Sequence, residues 1–362
     1  MPKIIQARIV LGANYGDEGK GTIVAKYSKE DGEVLNILTN GGAQRGHTVV
    51  TEDTVHTFHH FGSGTLSGAA TYCSRFFILN PMEFRKEWNS LVIKPKVFRD
   101  TRCKWTVPFD MIANTIVEQL KGTHGSCRMG VWNTILRNRE MNFISFDDFN
   151  SLPYSGKLVI LEDIKKWYER RIPVPDEWKG IWNSPFLITN FMDDCAFMLQ
   201  NTIPAYGTKD EFVKYDGIIF ENGQGLLLTD RGKDTYDTTP SNTGVHDALC
   251  VLKESGLDKY ALTAHYVTRP YLTRHGDGLL KDETSMKTIS SYISEDRCNN
   301  YNEGQGDFRY GKLDIKELKR RIEGDAENLN YKVELTHCDE MDRTDEFKKT
   351  FGNIGITDSP VV

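Results

Sequence analysis

The sequence predicts an α/β protein with a P-loop-like, mostly parallel central sheet, flanked by helices and interrupted by insertions. Three observations predict it. Ile4 to Leu11 is β-branched and apolar, Gly12 to Gly21 is glycine-rich, and Thr22 to Tyr27 begins a helix, the order that opens an α/β fold. Further short apolar runs recur, each followed within a few residues by Gly, Asp, Thr or Asn. Pro108 to Lys121 and Leu313 to Ile322 carry the 3.6-residue apolar spacing of amphipathic helices. In chain order, Val34 to Thr39 is the second strand and ends in Asn40-Gly41-Gly42. Lys157 to Leu161, Gly217 to Phe220, Tyr260 to Val267 and Tyr331 to Leu335 are the other expected strands. The stretches Asn80 to Lys96 and Ile172 to Pro185, rich in proline and tryptophan, read as irregular peripheral structure. No linker is long or polar enough to cut the chain, so one large domain over residues 1–362 is expected.

Composition narrows the function classes. With 45 Lys plus Arg against 51 Asp plus Glu, the net charge is -6, the wrong sign for neutralising a nucleic-acid backbone. No apolar run approaches the roughly 18 residues needed to cross a bilayer, and the opening stretch reads as a buried strand rather than a signal peptide. The 7 cysteines (73, 103, 127, 195, 250, 298 and 338) are scattered and form no C-x-x-C pair. That pattern suits a reducing compartment, the cytoplasm, and gives no zinc site.

The sharpest chemistry lies in Gly12 to Thr22. Glycines turn backbone N–H groups towards a polyphosphate, the following helix offers its positive N-terminus, and Lys20 adds a point charge. Asn14 and Gly21 stand where the ordinary Walker loop requires Gly and Ser/Thr. A tight strand-to-helix turn would need the glycines alone, not Asp17, Glu18 and Lys20 between them. In the second segment, Asn40 to Val50, His47 follows a glycine-rich turn at a strand end, where α/β folds present their chemistry. With a near-neutral pKa it could give a proton or a hydrogen bond to a developing oxyanion.

Together these segments resemble the adenylosuccinate synthetase family, whose hallmarks are a W-G-D-E-G-K-G loop and an N-G-G-x-x-x-G-H-T-V turn. Here they read Tyr15 to Gly21 and Asn40 to Val50. The resemblance continues at His59 to Leu66 (the family's H-x-x-P-S-G-x-L), Glu221 to Gly225 (E-G-A-Q-G) and Thr238 to Thr243 (V-T-S-S-N-T). It extends to Tyr271 to Gly276 (Y-T-T-R-V-G) and Arg309 to Asp314 (R-x-G-W-L-D). A regulator needing only a phosphate loop would not require these motifs in the same order.

The resemblance implies a two-step ligase. Asp17 would take the purine N1 proton so that O6 attacks the γ-phosphate of a nucleoside triphosphate, with Lys20 in the catalytic set. His47 would stabilise or protonate the phosphoryl oxygens. Mg²⁺ would be held by Asp17, the Gly46 carbonyl and phosphate oxygens. The amine of L-aspartate would then displace phosphate from C6. The implied nucleotide-phosphate contacts are Asn14, Gly16, Glu18, Gly19, Gly21, Thr22 and Thr48, with Asp339 at the base. The purine monophosphate would meet Asn40, Ser126, Gln224, Thr239 and an arginine, Arg137 or Arg139, that completes a neighbouring subunit's site and implies a homodimer. Aspartate would meet Thr273, Arg274 and Arg309.

The sequence departs from the family in several places. Thr336-His337-Cys338-Asp339 replaces T-K-L-D, the guanine-reading element: Asp339 could accept from the 6-amino group of adenine, or His337 could replace the Lys with guanine retained. Gly125 to Gly130 replaces G-T-T-G-R-G, and Arg45 occupies a position that is usually small. The C-terminal part is also short. Shortening with an altered guanine motif resembles the viral branch of the family, which joins aspartate to dGMP with ATP or dATP on the way to 2-aminoadenine in phage DNA. Asp17 fits an Asp-retaining variant of that branch, or a cellular enzyme that uses IMP and GTP. The added 2-amino group of dGMP is expected to find an acceptor among the backbone carbonyls of Asn14 to Asp17 and Gln224.

Overall fold

The computed structural model describes residues 4–122, 125–229, 238–276, 278–294, 296 and 306–360. Nine strands form the central sheet: β1 Ile5–Gly12, β2 Val34–Leu38, β3 Ala70–Cys73, β4 Val97–Asp100, β5 Ile203–Ala205, β6 Gly217–Gly225, β7 Tyr260–Thr268, β8 Tyr331–Leu335 and β9 Ile354–Ile356. Their spatial order is β9-β8-β7-β1-β6-β2-β3-β4-β5, and every adjacent pair is parallel. Such a sheet must be covered on both faces, and β1 is built accordingly. Ile9 and Leu11 enter one buried cluster with Ile218, Phe220, Val251 and Leu318, while Val10, on the opposite face, packs with Ile23, Val24, Ile219 and Val267.

Helix α1, Lys20–Glu30, follows β1 directly. Helices α2 Pro81–Ser90, α3 Pro108–Lys121, α4 Val131–Glu140, α5 Phe146–Ser151, α6 Tyr154–Glu169, α7 Asp176–Trp182 and α8 Pro185–Gln200 lie between β3 and β5. They share an aromatic core that includes Trp105, Phe109, Trp167, Trp182 and Phe191. Helices α9 His246–Ser255, α10 Ile315–Ala326 and α11 Thr344–Phe351 complete the cover. A hairpin pairs His47–Val50 with Val55–Phe58, and a small antiparallel sheet joins Leu272–Arg274, Arg309–Gly311 and Glu283–Thr284.

Three expectations are corrected. Lys157 to Leu161 is not a strand but part of α6. Its apolar run is one turn of a longer helical face that buries Leu161, Ile164, Trp167 and Tyr168, a spacing the five-residue window cannot reveal. Asn80 to Lys96 contains α2, whose start is marked by the Asn80 side chain accepting from the Glu83 amide and by Pro81 in the first turn. Ile172 to Pro185 contains α7. The described cysteines Cys73, Cys103, Cys127, Cys195, Cys250 and Cys338 are all free thiols, and Cys298 lies outside the described residues. Among the described residues no helix is long and apolar enough to cross a membrane.

Candidate active site

The carboxyl ends of β2, β1, β6, β7 and β8 lie side by side, so the loops that leave them meet along one edge of the sheet, where open α/β sheets bind ligands. The loop from β1 to α1 forms the floor. Its chain passes through the left-handed region at Gly16 (φ 99°), Asp17 (φ 60°) and Gly19 (φ 91°). That conformation is routine for glycine and uncommon for an aspartate, and it turns Asp17 outward onto the cavity. Among the described residues no side chain caps helix α1, so its first N–H groups stay available to a ligand in a groove lined by Gly19, Lys20, Gly21 and Thr22.

Two charged or amide residues of this loop do something else. The Glu18 carboxylate turns under the loop and accepts from the amides of Asn14 (2.9 Å) and Gly16 (3.0 Å). The Asn14 side chain donates to Thr268 (2.9 Å) and accepts from Arg321 (2.9 Å). Both residues hold the shape of the loop and line neither cavity. Asn40 likewise lies behind the wall, where its side-chain oxygen accepts from the Gly223 amide (2.8 Å).

A cavity of about 890 Å³ gathers Gly16, Asp17, Lys20, Gly46, His47, Thr48, Ser126, Arg139, Gln224, Thr239 and Arg274 from the expected set. The narrower groove beside it takes in Gly19, Gly21 and Thr22 and shares Asp17, Lys20, Gly46, His47 and Thr48. Seven residues expected at the site line neither: Asn14, Glu18, Asn40, Arg137, Thr273, Arg309 and Asp339.

His47 starts the hairpin, and its Nδ1 lies 2.6 Å from Glu221 at the middle of β6. Arg45 contacts the same carboxylate and lies 2.9 Å from Nδ1. An ionised carboxylate only accepts, so the 2.6 Å contact assigns the proton to Nδ1, Arg45 donates to the same carboxylate rather than to the ring, and Nε2 is the nitrogen left for a ligand. Ser63 donates to Glu221 through both its amide and its hydroxyl. Burial and the Arg45 charge push His47 down to about 3, against the opposing pull of Glu221. Burial would raise the Glu221 carboxyl, but Arg45 and His47 hold it far below the usual range. The cluster is therefore a carboxylate–guanidinium pair beside a neutral imidazole.

Asp17 has a partner that sequence reasoning missed. His275 Nδ1 lies 3.0 Å from its Oδ2, and the Asp17 carbonyl accepts from Arg269 (2.8 Å). Burial pushes the Asp17 carboxyl up, but the His275 hydrogen bond and the nearby Lys20 and Arg269 charges outweigh it and hold it low. The only signal was the His itself, standing where the quoted family pattern has Val. Arg274 lies over the Tyr15 ring at 4.9 Å and donates to the Leu279 carbonyl (2.7 Å), while Arg309 donates to the carbonyls of Gly276 and Gly278. Both guanidiniums are thus held by carbonyl oxygens of one loop.

Arg137 is locked in its own core. Its Nε and Nη2 reach the two oxygens of Asp110 (2.9 Å each), and Nη2 also donates to the Trp105 carbonyl (2.8 Å). The same carboxylate accepts from Tyr168 (2.6 Å) and Thr134 (3.0 Å). Arg139, two residues on, lines the cavity. Gln44 was also missed: among the described residues its amide, buried against the cavity, has no partner on either atom, and the Gln224 side-chain oxygen is equally unpartnered.

Among the described residues no three His, Cys, Asp or Glu side chains converge to hold a metal. Asp17, 25% exposed, and Gly46 line both cavities. One carboxylate and one carbonyl facing the groove at the start of α1 fit Mg²⁺, which usually takes few protein ligands and completes its shell with water and phosphate.

A parallel sheet with a helix start opening onto a groove, an acidic loop residue and an amide-lined cavity at the carboxyl ends of its strands has the build of a nucleotide-handling α/β enzyme. The model of the family described as adenylosuccinate synthetase matches residues 9–352, and the chain belongs to that family of C–N bond-forming ligases. Adenylosuccinate synthetase of Borrelia duttonii is 31% identical over 351 residues, covering 94% of this chain and 78% of the relative. The Borrelia recurrentis enzyme is 25% identical over the same coverage. Among solved structures, the fully ligated adenylosuccinate synthetase of Plasmodium falciparum has a TM-score of 0.68 at 21% identity, covering 94% of this chain and 78% of that one. The cyanophage S-2L succinoaminodeoxyadenylate synthetase, bound to dGMP and to dATP as energy donor, has a TM-score of 0.65 at 12% identity and covers 98% and 92%.

Proposed function

We propose that the protein joins L-aspartate to C6 of dGMP at the expense of ATP or dATP, giving 2-amino-2'-deoxyadenylosuccinate. The observation that carries the choice of base is a set of buried polar atoms on the cavity wall, both atoms of the Gln44 amide and the side-chain oxygen of Gln224, with no hydrogen-bond partner among the described residues. The guanine edge offers N1–H and the 2-amino group as donors, whereas hypoxanthine offers N1–H alone. A buried acceptor left unmatched costs about 1–3 kcal/mol. Of the backbone carbonyls first expected to serve, that of Asn14 accepts from Leu227 and that of Asp17 from Arg269. The cyanophage enzyme, which binds dGMP and dATP and whose length this chain covers to 92%, supports the same reading.

In this reading Asp17 takes the N1 proton, and O6 attacks the γ-phosphorus as the nucleoside diphosphate leaves. Lys20 and the N-terminal amides of α1 bind the phosphates. His47 accepts through Nε2 and donates to a phosphoryl oxygen once the incoming phosphate charge has drawn a proton onto it. Bound Mg²⁺ would neutralise charge on the phosphates beside Asp17 and the Gly46 carbonyl. Arg274 and Arg309 exchange their loop carbonyls for the aspartate carboxylates, and Thr273 assists from the strand it shares with Arg274. The amine attacks C6 and phosphate departs. Ser126 and Thr239 serve the monophosphate, and Arg139 is the arginine left to complete a phosphate site in a homodimer. The protein would act in the cytoplasm, the host's if the chain is viral.

A second reading, IMP with GTP, is favoured by the retained Asp17 and Asp339. One grid decides: aspartate and Mg²⁺ with IMP, dIMP, GMP or dGMP, each against ATP, dATP and GTP, followed by phosphate release. The proposal expects dGMP with an adenine triphosphate to have the highest kcat/KM. Robust turnover of IMP with GTP, and none of dGMP with ATP or dATP, overturns it.

A further inference from the structure

The groove beside the main cavity has a direction. One end is the uncapped start of α1 with Lys20, Gly21 and Thr22, where phosphates belong, and the other is walled by His337 and Pro360. A nucleoside triphosphate laid along it puts its base at the His337–Pro360 end. The two walls are tied together. Strand β9 pairs with β8 and carries residues 357–360 back across the loop that leaves β8. The Thr357 amide donates to the Leu335 carbonyl at 2.9 Å. Two residues beyond His337, just outside the lining of that end, the exposed Asp339 carboxylate accepts on a single oxygen, Oδ1, from both the Ser359 amide (2.7 Å) and the Ser359 hydroxyl (2.9 Å).

We infer that Ser359 sets the base preference of the triphosphate site by occupying Oδ1 of Asp339. This rests on the ligase reading above. A carboxylate reads guanine by offering one oxygen to N1–H and the other to the 2-amino group, two parallel bonds to two adjacent donors. Each carboxylate oxygen has about two acceptor positions, and here both positions on Oδ1 are filled from within the chain. Only Oδ2 remains for a ligand. One free oxygen suffices for adenine, whose Watson–Crick edge presents the 6-amino group as its only donor. It leaves one of guanine's two donors without a partner on the carboxylate, so guanine gains one bond fewer here than a two-oxygen reader would give it. His337 reinforces the choice without adding charge: burial and the Arg269 guanidinium push its imidazole well below its ordinary range, so it faces the base neutral.

The test is calorimetric and needs no turnover. The full-length chain is titrated with ADP and with GDP in Mg²⁺, as wild type and as Ser359→Gly, Ser359→Ala and Ser359→Thr. Wild type is expected to bind ADP more tightly. Ser359→Gly and Ser359→Ala, which lose the hydroxyl donor, are expected to move the ADP-to-GDP affinity ratio about tenfold towards GDP, the size of one hydrogen bond to a charged group. Ser359→Thr, which keeps the hydroxyl, is expected to retain the wild-type ratio. Tighter binding of GDP than ADP by wild type overturns the inference. So does a ratio unmoved in Ser359→Gly, and if phosphate release then still depends on dGMP and aspartate, the ligase reading survives alone. Failure of the wild-type chain to bind either diphosphate overturns both.

Discussion

Replacing Arg45 by Gln tests whether the buried charge beside His47 governs its protonation. Gln keeps a donor for Glu221 and removes the positive charge. The guanidinium lies 2.9 Å from Nδ1, with the side chains of Arg45 and Glu221 fully buried and that of His47 nearly so. At an effective dielectric constant of about 20, a unit charge at that distance disfavours the imidazolium by roughly 6 kcal/mol, or about ten-thousandfold in the proton equilibrium. Wild-type His47 is held down at about 3, so it should stay neutral from pH 5 to 8. In Arg45→Gln the Glu221 carboxylate at 2.6 Å is no longer countered, and His47 should titrate within or above that window. Heteronuclear NMR of the imidazole nitrogens reads this directly, with His47→Asn giving the assignment. Stability gives an independent check. A histidine lower in the folded than in the unfolded state destabilises the fold as pH drops below the unfolded value near 6.5, because the unfolded chain then binds the extra proton. Wild type should lose stability between about pH 6.5 and 3 from this source, and Arg45→Gln should lose less of it. A wild-type His47 that already titrates near neutrality, or an Arg45→Gln resonance that does not move, would refute the reasoning.

Asp17→Asn and His47→Asn should each lower turnover by on the order of a hundredfold, the range for a positioned acid or base; near-normal rates in either variant remove that residue from the chemistry. Arg274→Leu should raise the KM for aspartate while triphosphate affinity, measured by titration, stays close to wild type. Arg137→Met should cost about 3–5 kcal/mol in chemical denaturation because it strands the Asp110 carboxylate, whereas Arg139→Met should leave stability intact and weaken monophosphate binding. Glu334 is held down at about 2, where the His265 and Tyr27 hydrogen bonds outweigh the burial that would raise it. Its stabilisation should therefore be present above its unfolded value near 4.5 and fade as pH falls towards 2, and Glu334→Gln should flatten that part of an acid-denaturation curve.

What could be read in advance depended on whether the cause was local. The β1–loop–α1 unit was legible because an apolar run, a cluster of glycines and a helical start are adjacent in the chain. Pro108 to Lys121 was legible because its period repeats over four turns, and it is observed with those bounds. Lys157 to Leu161 misled because five residues contain one turn, and one turn of a buried helix looks like a buried strand. The strands β3, β4 and β5 are three or four residues long and passed unnoticed for the same reason.

The site divides along a related line. Asp17, Lys20, His47, Gln224 and Arg274 announce themselves by type and by their glycine-bordered positions, and the cavity collects all five. Arg45 beside Glu221 and His275 beside Asp17 are pairs 176 and 258 residues apart, created only by the order of the strands. Even within the phosphate loop the residues divide by function in a way no spacing reveals. A chain bent through the left-handed region leaves amides that no helix or sheet can satisfy, and a buried amide without an acceptor is costly. Glu18 supplies that acceptor for Asn14 and Gly16, and Asn40 does the same for Gly223. A motif residue whose carboxylate or amide is spent on its own backbone cannot also hold a phosphate. The acidic residue free to act on a ligand is the one the loop turns outward, Asp17, and its one described side-chain partner, His275, is itself on the cavity wall.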